Sequence, residues 1–157
     1  MELALSIASE NTTDVSCFGD NDGSIDLEVV GGNPNYVYTW SDGSTEGSRS
    51  GLAPGTYDVT IQDDNGSGEI IEASYTIDGP SSPLVIDGST VTNASNGNNN
   101  GSIAIDVSGG TAINYMYNWS NGGGGPVIGN LAPGTYTVVV TDDNGCDVIQ
   151  SLSLIHI

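Results

Sequence analysis

The sequence predicts an all-β protein built from two tandem antiparallel β-sandwich domains. Three observations predict this class: apolar and polar residues alternate along short segments, turn-forming residues separate those segments, and a long motif occurs twice. The chain has 157 residues, of which 23 are glycine. Such abundant glycine favours many tight turns over long helices, and this length suffices for one ordinary domain or two small ones.

An internal repeat sets the organisation of the chain. Two motifs recur unchanged 79 residues later, namely Leu52-Ala53-Pro54-Gly55-Thr56-Tyr57 as Leu131-Ala132-Pro133-Gly134-Thr135-Tyr136, and Asp63-Asp64-Asn65-Gly66 as Asp142-Asp143-Asn144-Gly145. Two earlier motifs recur at an offset of 78 residues, namely Gly23-Ser24-Ile25 and Gly31-Gly32. Internal repetition of this kind indicates serial structural units. We therefore predict a first domain over residues 1–79, a Pro/Ser linker over 80–83 and a second domain over 84–157.

Inside each repeat the apolar residues follow a period of two, which is the period of a half-buried strand. The predicted inward faces of the first repeat are Ile25, Leu27 and Val29; Tyr36, Tyr38 and Trp40; Tyr57, Val59 and Ile61; and Ile71, Ala73, Tyr75 and Ile77. The second repeat has matching faces in Ile103, Ile105 and Val107; Tyr115, Tyr117 and Trp119; and Tyr136, Val138 and Val140. The single tryptophan of each repeat is the predicted plug of its core.

Dipeptides between these segments predict the turns. Asn65-Gly66 and Asn144-Gly145 are strong hairpin-turn signals. Pro54-Gly55 and Pro133-Gly134 predict type II turns, in which the glycine has a positive φ.

The charge of the chain excludes several classes of partner. Twenty acidic residues stand against one basic residue, Arg49, which gives a formal net charge of −19. Nucleic-acid binding and attraction to anionic membranes both need clustered Lys and Arg, so we predict no nucleic-acid partner and no membrane insertion. No apolar run approaches the roughly 20 residues of a membrane-spanning helix. The first residues lack the positive start of a signal peptide, so we expect any export signal to lie outside this chain.

Paired acids are the best candidates for a metal site. The first repeat has the pair Asp63 and Asp64, and the second repeat has Asp142 and Asp143 at the same place. Carboxylates are ligands that calcium prefers. The alternative is a hairpin turn with acidic neighbours. A weaker candidate is Asp20-Asn21-Asp22-Gly23, whose counterpart Asn98-Asn99-Asn100-Gly101 has no carboxylate, so turn chemistry explains both. We expect no other cofactor.

The aromatic residues have a structural and a binding interpretation. They are core residues in the first, and in the second they stack on sugar rings, with Tyr36 and Tyr115 the most exposed. No catalytic group is predicted: the only histidine, His156, lies at the chain end, and the paired acids have no cation to tune them.

The motifs of both copies resemble the SprB repeat, a module of Bacteroidota cell-surface gliding adhesins. The resemblance includes Cys17-Phe18-Gly19, Asp22-Gly23-Ser24-Ile25, Tyr38-Thr39-Trp40-Ser41 and the motifs given above, and it ends at Asp143-Asn144-Gly145-Cys146. It implies an Ig-like sandwich, export by the type IX system, an extracellular or cell-surface location, and many copies in a long adhesin. It implies no catalytic residues.

The cysteines depart from that family's usual pattern. The position that would pair with Cys17 holds Ser67, and the position that would pair with Cys146 holds Ser95. Neither repeat can close a disulfide of its own, and the repeat register argues against a bridge from Cys17 to Cys146.

The expected function is a structural or adhesive tandem repeat of a large secreted surface protein, a stalk or a weak multivalent binder in adhesion or gliding. Its expected partners are neighbouring repeats of the same polypeptide and surface polysaccharide. One alternative is a carbohydrate-binding or accessory module of a secreted hydrolase, favoured if aromatic residues cluster exposed at a loop end. Another is a calcium-stiffened spacer.

The C-terminal segment 152–157 has two interpretations. Its sequence, Leu-Ser-Leu-Ile-His-Ile, is one reading frame of the transposon-end adapter used in sequencing libraries, so the gene fragment is hypothesised to end near Ser151. The alternative is a genuine final strand, since apolar residues alternate there.

Overall fold

The computed structural model describes residues 3–33, 35–63, 68–111 and 114–156. These residues form twelve β-strands and no helix, which confirms the all-β prediction. The chain divides into two compact units, Met1–Gly79 and Pro80–Ile157.

Each unit is a pair of three-stranded antiparallel sheets facing each other across a core. The strands of unit 1 are β1 (Ser6–Thr13), β2 (Gly23–Val30), β3 (Tyr36–Trp40), β4 (Arg49–Leu52), β5 (Gly55–Asp63) and β6 (Ile70–Ile77). Those of unit 2 are β7 (Val85–Thr92), β8 (Gly101–Ser108), β9 (Met116–Trp119), β10 (Val127–Leu131), β11 (Gly134–Thr141) and β12 (Asp147–Leu154). The sheet orders are β1-β2-β4 with β3-β5-β6, and β7-β8-β10 with β9-β11-β12.

The predicted inward faces form the two cores. Trp40 and Trp119 are each 2% exposed and are among the largest fully buried side chains, which confirms them as core plugs. Their indole nitrogens donate to loop carbonyls, Trp40 to Glu46 at 2.8 Å and Trp119 to Gly125 at 3.0 Å. Each tryptophan therefore fills its core without leaving a buried donor unsatisfied, and it also fixes the loop that follows its strand.

The crossing from one sheet to the other is fastened by a tyrosine. Tyr57 Oη donates to the carbonyl of Ala53 at 2.9 Å, and Tyr136 Oη donates to that of Ala132 at 2.8 Å. A tyrosine that hydrogen-bonds back to the backbone just upstream is a known corner motif of β-sandwiches.

The prediction of type II turns at Pro54-Gly55 and Pro133-Gly134 was wrong, because Gly55 and Gly134 begin strands and neither has a positive φ.

A glycine pair ends the second strand of each unit because another segment passes against it. A Cβ on Gly31 would lie 2.0 Å from the carbonyl oxygen of Ala4, and one on Gly109 would lie 1.8 Å from that of Pro83. Both glycines also have positive φ, 77° and 78°. No larger residue fits such a backbone approach, which explains the repetition of this motif.

The Asn144-Gly145 hairpin is confirmed between β11 and β12. Gly145 N–H donates to the carbonyl of Asp142 at 3.1 Å, and Asp142 N–H donates to that of Cys146 at 3.0 Å. Gly145 has a φ of 87°, so glycine takes the left-handed position of the loop. The Asn65-Gly66 turn lies outside the described residues.

Residues 152–154 form the last part of β12. Leu152, Ser153 and Leu154 pair with Tyr136, Thr135 and Gly134 of β11. Leu154 is 2% exposed, and Ile77 occupies the same place in unit 1, paired with Gly55 and 1% exposed. The segment therefore has the conformation expected of a final strand, while its origin from adapter sequence stays a prediction.

The expectation that the cysteines remain unpaired was wrong. Within the described ranges no cysteine is free. The alignment of the two repeats shows only whether a cysteine has a partner cysteine within its own repeat. It therefore carried no information about disulfides outside one repeat.

Candidate functional site

The carboxylate of Asp142 is the centre of a polar cluster in unit 2. Its Oδ1 accepts the N–H of Asn144 at 3.0 Å and that of Cys146 at 2.9 Å. Its Oδ2 accepts the N–H of Thr111 at 3.0 Å and the Thr111 hydroxyl at 3.2 Å. The side chain is 6% exposed. It thus joins the β11–β12 hairpin to the loop that follows the glycine pair.

Two opposed effects act on the pKa of Asp142. Burial raises the pKa, but the hydrogen bonds from Thr111, Cys146 and Asn144 outweigh burial and hold the pKa below its ordinary value. These donors favour the charged form of the carboxyl group. The structure therefore favours the charged carboxylate of Asp142 among three backbone N–H groups and one hydroxyl.

Asp63 occupies the same place in unit 1. It is 2% exposed, and its Oδ2 accepts the N–H of Asn33 at 3.4 Å. Asp143 is exposed in the β11–β12 turn, and Asp64 lies outside the described residues. Among the described residues no group of three or more His, Cys, Asp or Glu side chains could hold a metal ion.

These contacts give Asp63 and Asp142 a clear structural role, whether or not calcium binds. The oxygens of Asp142 face four donors, each presenting positive partial charge, and a cation would have to displace them. Calcium binding by Asp63, Asp64, Asp142 and Asp143 stays a prediction.

The side chains of Asp22 and its counterpart Asn100 hold the second candidate loop in both units, which agrees with the turn interpretation. Asp22 Oδ1 accepts the N–H of Ser16 at 3.0 Å, and its Oδ2 accepts the Ser16 hydroxyl at 2.5 Å. In unit 2, Asn100 Oδ1 accepts the N–H of Ser95 at 2.9 Å, and its amide nitrogen donates to the Ser95 hydroxyl at 2.9 Å. The bonds from Ser16 hold the pKa of Asp22 below its ordinary value. Asp and Asn therefore fasten the same loop in the same way.

The tyrosines of both units line the cores and do not form an exposed platform. Tyr36 and Tyr115 are half-buried against the cores. Their hydroxyls donate to Gly31 at 2.8 Å and to Gly109 at 2.9 Å. Tyr36 and Tyr115 are therefore not exposed as the sugar-stacking interpretation expected, and Phe18, which is 52% exposed, does not belong to the aromatic strand faces. One exposed phenylalanine does not make the loop-end aromatic cluster that favours sugar stacking.

A shallow polar groove lies on the outer face of sheet β3-β5-β6. Its volume is about 570 Å³, and its outward side chains are Thr39, Ser41, Asp58, Thr60, Glu72 and Ser74. Ser74 donates to Asp58 at 2.7 Å. The ladder equivalents of Asp58 and Glu72 in unit 2 are Thr137 and Ile149, so the groove is acidic in the first repeat only. Sequence reasoning missed this face because it followed only the inward side of each strand.

Sequence reasoning also missed the role of Arg49. This residue is 8% exposed and forms a bidentate pair with Asp42, with nitrogen–oxygen distances of 2.5 and 3.3 Å. Its guanidinium carbon lies 5.0 Å from the ring centroid of Trp40 and 5.8 Å from that of Tyr57. The hydrogen bond from Arg49 is the main cause that holds the pKa of Asp42 below its ordinary value. The one basic side chain is thus part of the core wall.

The chain enters and leaves each unit at opposite ends. In unit 1 the carbonyl of Leu3 accepts from Gly32 at one end of β1, whereas the carbonyl of Asp78 accepts from Val15 at the other end. In unit 2 the carbonyl of Ser82 accepts from Gly110, whereas the carbonyl of Ile155 accepts from Ala94. Each unit therefore spans one strand length between its entry and its exit.

No helix in the described residues is long and apolar enough to cross a bilayer.

Comparisons with known proteins agree with this architecture. A family model, the SprB repeat, matches residues 9–45 and 88–124. No curated protein matches the chain. Among solved structures, Sidekick-1 immunoglobulin domains 1–5 match at 11% identity with a TM-score of 0.52, covering 100% of this chain and 40% of that one. The N-terminal eight Ig domains of Down Syndrome Cell Adhesion Molecule isoform 1.30.30 match at 9% identity with a TM-score of 0.52, covering 99% and 25%.

The two kinds of match support different statements. The chain spans less than half the length of those two solved proteins, and at such low identity they establish the fold alone. They confirm the prediction of tandem Ig-like β-sandwiches. The family match falls once in each structural unit, on residues that form the first three strands of unit 1 and their counterparts in unit 2. The SprB family model therefore matches this chain twice, once on each Ig-like β-sandwich.

Proposed function

We propose that this chain is a tandem segment of a large secreted cell-surface protein, acting as a stalk or weak multivalent binder in adhesion or gliding. The observation that carries the proposal is the placement of entry and exit at opposite ends of each unit. Repeats joined in this way add length with every copy. The proposal includes a first domain over residues 1–79, a linker over residues 80–83 and a second domain over residues 84–157.

The length that each repeat adds follows from its strands. Strand β1 has eight residues, which at about 3.3 Å per residue span about 26 Å. Tension applied at the two ends would load β1 and β6 along their axes. Seven residue pairs join β1 to β2, and eight join β6 to β5, so many ladder hydrogen bonds would share such a load. This arrangement suits a mechanical spacer.

The charge supports an extended surface polymer. Residues 1–80 hold 15 acidic residues and Arg49, for a formal charge of −14, and residues 81–157 hold five acidic residues, for −5. Like-charged repeats repel one another and stay soluble. Weak sites repeated many times would then supply avidity.

Single-molecule stretching of the full chain tests the mechanical role. A reducing buffer is needed because neither cysteine is free. Unit 1 has 79 residues, so its unfolding should lengthen the chain by about 240 Å, from roughly 3.4 Å per extended residue less the folded length. We expect two such steps, and only one in Trp119→Ala. Extension without discrete steps would contradict a load-bearing role.

The intact gene tests the wider context. We expect a long-read sequence to show many further repeats and a type IX export domain. A catalytic domain on either side would instead make these repeats accessory modules of a secreted hydrolase.

A second candidate function, carbohydrate binding by the first repeat, is favoured by the polar groove on sheet β3-β5-β6. Hydroxyl and carboxylate groups there could accept and donate hydrogen bonds to a surface polysaccharide. A glycan array with the full chain should show weak binding, with a Kd of about 1 mM for a single site. The double variant Asp58→Thr/Glu72→Ile grafts the residues of unit 2 and should abolish it. Binding that survives the graft would place any sugar site elsewhere.

The calcium-stiffened spacer has its own test. Millimolar calcium should raise the melting temperature of the full chain, and Asp63→Asn combined with Asp64→Asn should remove that rise. An unchanged melting temperature would remove calcium from the proposal.

A further inference from the structure

The loop between β7 and β8 contains an exposed β-turn. Asn98 N–H donates to the carbonyl of Ser95 at 3.0 Å, which closes a β-turn over Asn96 and Gly97. Gly97 has a φ of 77°, whereas Asn96 has no positive φ. This combination is a type II turn, in which glycine takes the third position. Unit 1 builds the same turn with Phe18 and Gly19 at the two central positions.

Among the described residues, the N–H of Gly97 has no hydrogen-bond acceptor. The side-chain amide of Asn96 also has no hydrogen-bond partner among them. Both residues are exposed. A Cβ placed on Gly97 would meet no atom within 4 Å. The nitrogen of Gly97 and the side-chain carbon of Asn96 are therefore both unrestrained and open to solvent.

We propose that Asn96 is a site of spontaneous deamidation that alters the charge of the β7–β8 loop. The deprotonated backbone nitrogen of Gly97 attacks Cγ of Asn96, a C–N bond forms, the bond from Cγ to Nδ2 breaks, and ammonia leaves. Water then opens the cyclic imide at either carbonyl, giving aspartate or isoaspartate. The glycine matters because it has no side chain to hinder the attack.

Three other described Asn-Gly pairs serve as internal comparisons, because each is restrained. Gly122 N–H donates to Trp119 at 2.8 Å, while Asn121 Oδ1 accepts from Gly123 at 3.1 Å. Gly145 N–H donates to Asp142 at 3.1 Å.

The third pair, Asn100-Gly101, is restrained by burial as well. Gly101 is a buried residue of β8, and a Cβ there would lie 2.4 Å from Leu154. The amide of Asn100 is engaged with Ser95 on both its oxygen and its nitrogen. Cyclisation at any of these three pairs would first have to break native contacts.

The rate difference can be sized from those contacts. A single hydrogen bond of typical net strength would slow cyclisation about fivefold when it must open first. We therefore expect Asn96 to convert about fivefold or more faster than Asn121, Asn144 or Asn100. Because the attacking nitrogen must lose a proton, the rate should rise with hydroxide concentration.

The product would make the two repeats more alike. Residues 95–100 hold no acidic residue, whereas the corresponding loop of unit 1 holds Asp20 and Asp22. One new carboxylate at Asn96 would bring negative charge to this loop. An isoaspartyl linkage would add a backbone atom to the turn and should weaken the bond from Asn98 to Ser95.

Peptide mapping by mass spectrometry tests the proposal on the full chain. The folded protein is incubated at mildly alkaline pH in ¹⁸O-water, and each Asn-Gly peptide is followed for the mass change of amide to acid with label incorporation. We expect label at Asn96 first. The matched variant Asn96→Gln keeps an amide but needs a slower six-membered closure, so its peptide should stay unmodified.

A denatured sample separates structure from sequence. In concentrated urea the four pairs should convert at similar rates, since their contacts are gone. Equal rates in the folded protein, or faster conversion at Asn121 or Asn144 than at Asn96, would overturn the proposal.

Discussion

The ion pair between the buried Arg49 and the exposed Asp42 can be replaced by the residues that occupy the same positions in unit 2. Arg49 pairs with Ile25 in the β2–β4 ladder, and Ile128 pairs with Ile103 in the β8–β10 ladder, so Ile128 is the counterpart of Arg49. Asp42 and Asn121 correspond as well, since each accepts the N–H two residues on. The perturbation is therefore Arg49→Ile with Asp42→Asn.

The energy terms at Arg49 nearly cancel. Loss of the guanidinium removes two cation–π contacts, together worth about 1–2 kcal/mol. Burial of an isoleucine side chain returns about 1.5–3 kcal/mol, and a hydrophobic substitute for a buried pair is often neutral or stabilising. We expect the double variant to lie within about 1 kcal/mol of the natural chain in its free energy of unfolding.

The two single changes should differ strongly. Asp42→Asn leaves the guanidinium of Arg49 buried without its counter-charge, so it should be the more destabilising. Arg49→Ile leaves the 41% exposed carboxylate of Asp42 in water and should be nearly neutral. Urea unfolding of the four proteins gives the complete double-mutant cycle.

A pH series adds an independent readout of the pair. Arg49 lowers the folded pKa of Asp42 below its ordinary value, so this stabilisation is full above about pH 4 and is lost as the pH falls through the folded pKa. Arg49→Ile should flatten that acid limb. If Arg49→Ile proved as damaging as Asp42→Asn, or if the double variant failed to recover, the reasoning would be refuted.

Three further substitutions and one control substitution test the loop and corner contacts, each by urea unfolding. Asp142→Asn should cost about 2 kcal/mol of unfolding free energy, because an amide cannot accept all the N–H bonds of the carboxylate. Since the folded pKa of Asp142 lies below its ordinary value, this loss of stability should shrink as the pH falls below about 4. An equal loss at all pH values would contradict the prediction. Gly109→Ala should cost at least about 2 kcal/mol through its collision with Pro83 and its positive φ, whereas Gly129→Ala, at an open position without positive φ, should change stability by less than about 1 kcal/mol. Tyr136→Phe should cost about 1 kcal/mol by removing the bond to Ala132, and an unchanged midpoint would show that the hydroxyl does not fasten the corner.

The strand faces were predictable because they depend on neighbours in the sequence. Ile25, Trp40 and Val59 lie inward as the period of two requires. That period does not reveal which backbone will pass close to a strand end. The Gly109 motif was visible as a repeat, but its cause, the carbonyl of Pro83, lies 26 residues upstream in the sequence.

The candidate metal residues illustrate a different limit. Counting carboxylates identified Asp63 and Asp142 as unusual, and both are buried. The count could not show that backbone N–H groups converge on Asp142, because those donors have no sequence signature of their own. A usable signal was present for Tyr57 and Tyr136, since each lies four residues after an alanine in a sheet-crossing motif, the spacing that its hydroxyl bond requires.

Strand β12 shows that the last strand of a sheet places few requirements on its amino-acid sequence. The ladder from β11 to β12 uses backbone groups, which any residue other than proline supplies. Only the inward positions of the strand require particular side chains. The most important of them is Leu154, whose methyl groups fill the space left by Gly101. Ile77 does the same against Gly23 in unit 1. A short segment of alternating apolar and polar residues therefore completes the sheet whatever its genetic origin, provided that a large apolar side chain fills the space beside Gly101.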